Sequence, residues 1–322
     1  MAAPVPGRAI IISSGRCGST LLSDLIAEEP ETLSAQEFLM SVAPWARSED
    51  VITGQEYWEV LSSPKAELTT LFRIGLPPKE VRYPSNGRWS GRLTELPRIL
   101  VITLSKLTSD PDALFDQVAE QVPTFPTQPV GQHHQMFLDL LASLLGKRRW
   151  VERSGGSSHV APYLLKSFPT AKIVYLTRNW QDTARSMSRH PSFQLIQLRM
   201  EFLAKCGLDP FRMTPEQTVP PEMERYLPDR LTADLLRERG EDLSRYLGLC
   251  AFMHAQAEQA LTDTPPTHLL RMTYEDLVAD PVTELGRLGE FLEFADWRGW
   301  AEQVAGRVNR PSDTRRSAAV PA

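Results

Sequence analysis

The sequence predicts an α/β fold: three layers, α/β/α, with a central parallel sheet. Three strand–loop–helix units carry that prediction, at residues 9–26, 172–189 and 268–292. In the first, Ala9, Ile10, Ile11 and Ile12 form an uninterrupted apolar run, the pattern of a strand buried on both faces. Residues 13–18 are small and polar. Ser19 or Thr20 can cap the helix that follows, where Leu21, Leu22, Leu25 and Ile26 share one face. Residues 150–152 are a short strand candidate, and Val160, Leu164 and Leu165 form a helical stripe that Phe168 and Pro169 end. Residues 172–177 (KIVYLT) are dense in β-branched and aromatic side chains and make the strongest strand. Arg178 stands at its end, and 180–189 is helical up to Pro191. Residues 268–272 predict another strand, followed by 274–278 and a helix over 282–292.

Two long regions separate these units, about 45–147 and 191–266. Both contain amphipathic helical stretches, such as 115–122, 136–145 and 246–261, and no internal repeat. The expected organisation is one domain over 1–322 with these regions as helical insertions.

Bulk properties narrow the function. The chain has 322 residues, 35 Lys plus Arg and 40 Asp plus Glu, a formal charge of −5, with 42% hydrophobic and 23% charged residues. That is a globular composition, and an acidic total argues against a nucleic-acid partner. The longest apolar runs, 9–12 and 99–102, fall far short of a membrane span, and the first residues lack the pattern of a signal peptide. Three widely spaced cysteines, Cys17, Cys206 and Cys250, contain no CxxC pair; they fit a reducing, cytoplasmic compartment and offer no cysteine metal site. The sequence leaves the oligomeric state open.

The segment SSGRCGST, residues 13–20, is an anion site by construction. A loop between a strand and a helix N-terminus presents backbone N–H groups and the positive end of the helix dipole. Gly15 and Gly18 let the backbone curl close to an anion, Ser19 and Thr20 add hydroxyls, and Arg16 adds a guanidinium fork. An Mg-nucleotide loop requires G-x-x-x-x-G-K-[ST]. Here Ser19 follows Gly18 and the phosphate-reaching lysine is missing, so the loop is P-loop-like but suited to a different anion. Cys17 within it is a candidate reactive thiol or a small space-filling side chain.

With these residues the chain resembles the sulfotransferases that use 3′-phosphoadenosine 5′-phosphosulfate (PAPS). Their loop has the form R-[SC]-G-[ST]-T, and Arg16, Cys17, Gly18, Ser19 and Thr20 match it throughout. They place an Arg at a strand end and a Ser eight residues later on the 3′-phosphate; VYLTRNWQDTARSM supplies Arg178 and Ser186 at that spacing. The phrase RMTYEDLVADP is similar to their late YEDL segment and implies that Tyr274 lies near the adenosine. Spacing is most like the tyrosylprotein and bacterial small-molecule branches. Those carry a Glu seventeen residues after the loop Thr, here Glu37, and a Lys twenty-five residues before the 3′-phosphate Arg, here Arg153. The basic close of the cytosolic branch is missing; VNRPSDTRR stands near its place, with Arg310 and Ser312 as phosphate contacts.

The resemblance implies transfer of a sulfuryl group from PAPS to a hydroxyl of a small-molecule acceptor, without a metal, releasing 3′,5′-ADP. Gly15 to Thr20, Arg178, Ser186, Tyr274 and Ser312 would bind the nucleotide. Arg16 and Arg153 would stabilise the departing phosphate, Glu37 would be the base, and the two insertions would form the acceptor side. His133, His134 and His159 are rival bases, and Arg185 and Arg189 flank Ser186. A P-loop small-molecule kinase and a non-catalytic nucleotide-binding protein of the same fold are the alternatives. The composition suits a bacterial enzyme.

Overall fold

A computed structural model describes residues 7–42 and 49–308. Five parallel strands form its central sheet: β1 (Gly7–Ser13), β2 (Thr32–Gln36), β3 (Arg149–Arg153), β4 (Lys172–Thr177) and β5 (Leu269–Thr273). Their spatial order is β2-β3-β1-β4-β5, so the chain order reverses beside β1. Ile11 lies opposite Arg153 on one side and Val174 on the other. Parallel strands end at a common edge, and ligands of such sheets bind beyond that edge at the reversal. The residues that follow each strand, from Ser14 to Tyr274, therefore meet at one rim.

Alternation along the strands builds the layers. Ile10, Ile12, Ile173 and Tyr175 face one core, which also takes Phe38 and Phe137. Ala9, Ile11, Val151 and Val174 face the other, covered by Leu22, Leu25, Leu288 and Trp300. The helices that matter below are α1 (Ser19–Ile26), α2 (Phe38–Val42), α3 (Ala66–Arg73), α4 (Val130–Leu144), α5 (Trp180–Ser188), α6 (Pro191–Cys206) and α7 (Leu243–Leu261). The sheet and its flanking helices make the three-layer α/β/α architecture expected. Among the described residues no helix is long and apolar enough to cross a membrane.

Three local expectations change. The helix expected over 136–145 begins at Val130, and the one over 115–122 is Pro111–Gln121, started by Asp110, whose carboxylate accepts from Ala113 N–H at 3.0 Å. Neither Ser19 nor Thr20 caps α1. The cap position is Gly18, in left-handed conformation, and no side chain bonds there.

Candidate active site

The loop after β1 turns through three residues of positive φ: Gly15 at 75°, Arg16 at 56° and Gly18 at 87°. Its two glycines are needed for space as well. A Cβ on Gly15 would stand 2.3 Å from Phe193 Cζ and 2.9 Å from the Gly156 nitrogen; one on Gly18 would stand 2.3 Å from Tyr274 Cδ2. Gly15→Ala is therefore expected to lower the unfolding free energy by at least about 1–2 kcal/mol from the backbone alone, measurable by urea denaturation. Because α1 has no side-chain cap, its first N–H groups remain available to an anion. Cys17 is fully buried, its thiol 3.7 Å from the Leu176 carbonyl, and burial pushes the thiol up. That environment disfavours the thiolate and makes Cys17 a packing residue.

The three sequence phrases converge on this loop. Arg16 Nε donates to Ser186 Oγ at 3.1 Å, and Arg178 Nη1 donates to the Arg16 carbonyl at 3.4 Å. The Arg178 guanidinium lies 4.6 Å from the centre of the Tyr274 ring, and that ring packs over Gly18. Arg178 Nε is buried without a partner. Asn179 starts α5 by accepting from the N–H groups of Gln181 and Asp182 at 3.0 and 3.2 Å, which fixes Ser186 two turns along. Arg185 and Arg189 are exposed, and Arg185 pairs with Asp182 at 3.3 Å.

Sequence reasoning missed a carboxylate on this cluster. Glu80 accepts from Arg16 Nη1 at 3.1 Å and from His190 Nε2 at 3.0 Å on both oxygens. Burial pushes its carboxyl up, but the His190 hydrogen bond and charge, with Arg16, outweigh that and hold it at about 2. Glu80 lies in an irregular stretch with no periodicity, so no local signal marks it.

Across the rim, Glu37 follows β2 at φ 58° and opens α2. Its N–H donates to the Arg153 carbonyl at 2.8 Å, and Gly155 N–H donates to both its carboxylate oxygens at 3.1 Å. The buried Arg153 guanidinium bonds Glu37, Gln36 Oε1 at 2.7 Å and Ser23 Oγ at 3.3 Å. Beside it Glu152 is completely buried, accepting from Ser154 Oγ at 2.6 Å and Leu39 N–H at 3.1 Å.

A cavity of about 240 Å³ joins the two sides, reached by Arg16, Ser19, Thr20, Glu37, Glu80, Arg153 and His159. His133 and His134 are absent from its lining and sit in the core. His134 bonds Tyr57 and Tyr163 hydroxyls at 2.8 and 2.6 Å, and His133 Nε2 bonds the Ile52 carbonyl at 2.9 Å. His159 lines the cavity, its Nδ1 donating to the Gly156 carbonyl at 2.5 Å. Arg310 and Ser312 lie outside the described residues. Among the described residues no group of three or more His, Cys, Asp and Glu side chains is placed to hold a metal ion.

Fold and site together define a three-layer α/β protein with an anion loop at the reversal point of its parallel sheet. Residues 6–304 match the model of the sulfotransferase domain, and the chain belongs to that family. Its chemistry is accordingly sulfotransfer. Similar solved structures include the sulfotransferase domain from the curacin biosynthetic pathway, 18% identical, covering 90% of this chain and 75% of that one, with a TM-score of 0.45. The sulfotransferase STF9 from Mycobacterium avium is 14% identical, with coverages of 96% and 70% and a TM-score of 0.47. The sulfotransferase domain from the Synechococcus PCC 7002 olefin synthase is 18% identical, with coverages of 91% and 75% and a TM-score of 0.44. Comparison with curated proteins gives no match.

Proposed function

We propose that this chain is a single sulfotransferase domain that moves the sulfuryl group of PAPS to a hydroxyl of a small-molecule acceptor. The observation that carries the reading is the convergence of Arg16, Gly18, Arg178, Ser186 and Tyr274, from three distant stretches, around one uncapped helix start. The donor set suits a bisphosphate. Arg178 has a buried Nε without a partner, Ser186 offers a hydroxyl, and the Gly15–Gly18 turn leaves room where a Cβ would fill it.

In this reading Tyr274 lies beside the adenosine, Arg178 and Ser186 take the 3′-phosphate, and the loop N–H groups with Ser19 and Thr20 take the 5′-phosphosulfate. The acceptor oxygen forms a bond to sulfur as the bond from sulfur to the 5′-phosphate oxygen breaks; the electron pair leaves on that phosphate, giving 3′,5′-ADP. Arg16 stabilises the charge that develops there. Glu37 takes the acceptor proton, and Arg153 and Gly155 hold its carboxylate in place while Arg153 adds positive charge beside the transfer. The reaction needs no metal.

Thermal unfolding with nucleotides tests this. At ~100 times its dissociation constant, 3′,5′-ADP should add about 2.7 kcal/mol, and Mg-ATP much less. Stabilisation by Mg-ATP alone points instead to a small-molecule kinase. Stabilisation by 3′,5′-ADP without PAPS consumption across a panel of phenols, alcohols and hydroxy acids points to a non-catalytic binding protein.

A further inference from the structure

We propose that the acceptor carries a carboxylate on an apolar body, and that Lys65 and Arg199 bind this carboxylate while the acceptor hydroxyl lies at Glu37. The proposal rests on the sulfotransfer reading for the role of Glu37, and on the far half of the cavity for the rest.

Beyond Glu37 the cavity wall is apolar, formed by Leu68, Leu71, Ile102, Ile196, Met200 and Leu203. Two cations interrupt it. Lys65 stands just before α3, enclosed by protein and open only partly to the cavity. Its ammonium donates to the Met40 carbonyl, and it enters none of the ion pairs among the described residues, although an ammonium carries three donors. Burial pushes it down from its ordinary value, and Glu67 only partly offsets this. An anion in the cavity would supply the missing counter-charge.

Arg199 reaches the same space from α6, on the face that also presents Ser192, Ile196 and Leu203 at helical spacing. One of its Nη atoms meets Asp209 at 2.5 Å, the other is 3.7 Å from Glu67, and its Nε is buried without a partner. Both cations line the same cavity as His159. Burial, with the charges of Arg199 and Lys65, holds its imidazole down at about 4, so it is neutral near pH 7.

Among the described residues the charge in and around this half of the cavity does not cancel. Lys65, Arg199 and the neighbouring Arg98 face Glu67 and Asp209, and Asp209 also lies 3.8 Å from Arg212. Among the described residues the Arg98 side chain bonds Ser63 and the Pro64 carbonyl and no carboxylate. Glu37 is held by Arg153 and adds little to the neutralisation. A cleft with apolar walls and surplus positive charge concentrates an anion. The Met40 carbonyl that Lys65 holds lies three residues after Glu37, about 5 Å along α2. Carboxylate and hydroxyl then belong on one small molecule.

The test is the binding of matched pairs: 3-(4-hydroxyphenyl)propionate and 3-hydroxydecanoate, each against its methyl ester, by titration calorimetry with and without 3′,5′-ADP. For at least one pair the acid should bind about tenfold tighter than the ester or more, as expected for charge-assisted hydrogen bonds. That ratio should fall below about threefold in Lys65→Met and in Arg199→Met. Equal binding, preference for the ester, or no binding of either member at ~10 mM overturns the proposal. Loss of melting temperature in Lys65→Met with an unchanged ratio also overturns it, and makes Lys65 only a brace for α2. If neither variant folds, the wild-type ratio and its decline between low and high salt still decide the matter. Failure of 3′,5′-ADP to bind removes the sulfotransfer reading separately and leaves the comparison of acid with ester standing.

Discussion

Glu37→Gln is expected to lower kcat by about 10²–10⁴ while 3′,5′-ADP binds as in the wild type. The amide keeps the shape of the carboxylate and one oxygen for the Gly155 N–H, but it cannot take a proton from an acceptor hydroxyl. The position faces the cavity across from Arg16; among the described residues Gly155 and Arg153 hold its carboxylate, and Ser41 Oγ donates to its backbone carbonyl. A second effect accompanies the kinetic one. Arg153 is buried, and removing the charge of its partner leaves it uncompensated, a loss of about 3–5 kcal/mol for a fully buried pair and less here, where Glu37 is partly exposed. Turnover must therefore be measured well below the variant's melting temperature. A folded Glu37→Gln protein with full turnover removes the base role and transfers it to His159, whose neutral imidazole lines the same cavity.

The second large effect is on stability. Stability should peak near pH 6.5 and fall by about 1 kcal/mol by pH 8, and in Glu152→Gln it should instead rise slightly over that range. Burial, helped by the Glu37 charge and only partly opposed by the Ser154 and Leu39 hydrogen bonds and Arg153, pushes the Glu152 carboxyl from 4.5 up to about 8. Between those values the folded chain holds a proton that the unfolded chain has released. Stability contributed by the protonated form is thus lost as pH rises, by up to about 1.4 kcal/mol per unit. Below 6.5 the opposite slope enters. His134 and His159 are held down at about 3 and 4 by burial, so the unfolded chain binds protons there that the folded chain does not. Across the window from 6.5 to 8 the histidine contribution fades while that of Glu152 persists, and the difference between wild type and Glu152→Gln isolates Glu152. Urea titrations of both proteins across it measure the difference, and parallel curves would show that Glu152 is ionised in the folded state.

The parts of the site that lie on one continuous phrase were legible in the sequence. Arg16 to Thr20, Arg178 with Ser186, and Tyr274 each sit at a strand-to-helix junction, where apolar runs and small residues mark the turn. β2 was not legible, because it is five residues long and only one of its two buried faces is apolar, with just Leu33 and Ala35. On the other face Ser34 Oγ donates to the Ser23 carbonyl at 2.8 Å and Gln36 Nε2 to Asp24 at 2.9 Å, so hydrogen bonds stand where a continuous apolar run would announce a buried strand. Glu80, His190, Lys65 and Arg199 come from segments without a shared pattern, and only tertiary packing brings them to one cavity. The adjacent His133 and His134 misled for the converse reason. Residue type named them as bases, but core hydroxyls and a carbonyl satisfy them.

Arg16 and Glu37 share an uncommon property. With Glu293 they are the three non-glycine residues of positive φ among those described. A side chain in that conformation costs on the order of 1–2 kcal/mol relative to glycine. Backbone strain alone would favour glycine at 16 and 37, whereas the proposed transfer uses a guanidinium and a carboxylate there. At Arg16 selection for robustness and selection for the proposed activity thus pull against each other, while at Glu37 the ion pair with Arg153 offsets the strain. A descendant that drifted to glycine at 16 would shed that strain together with the guanidinium proposed for transfer, whereas glycine at 37 would strand the buried Arg153.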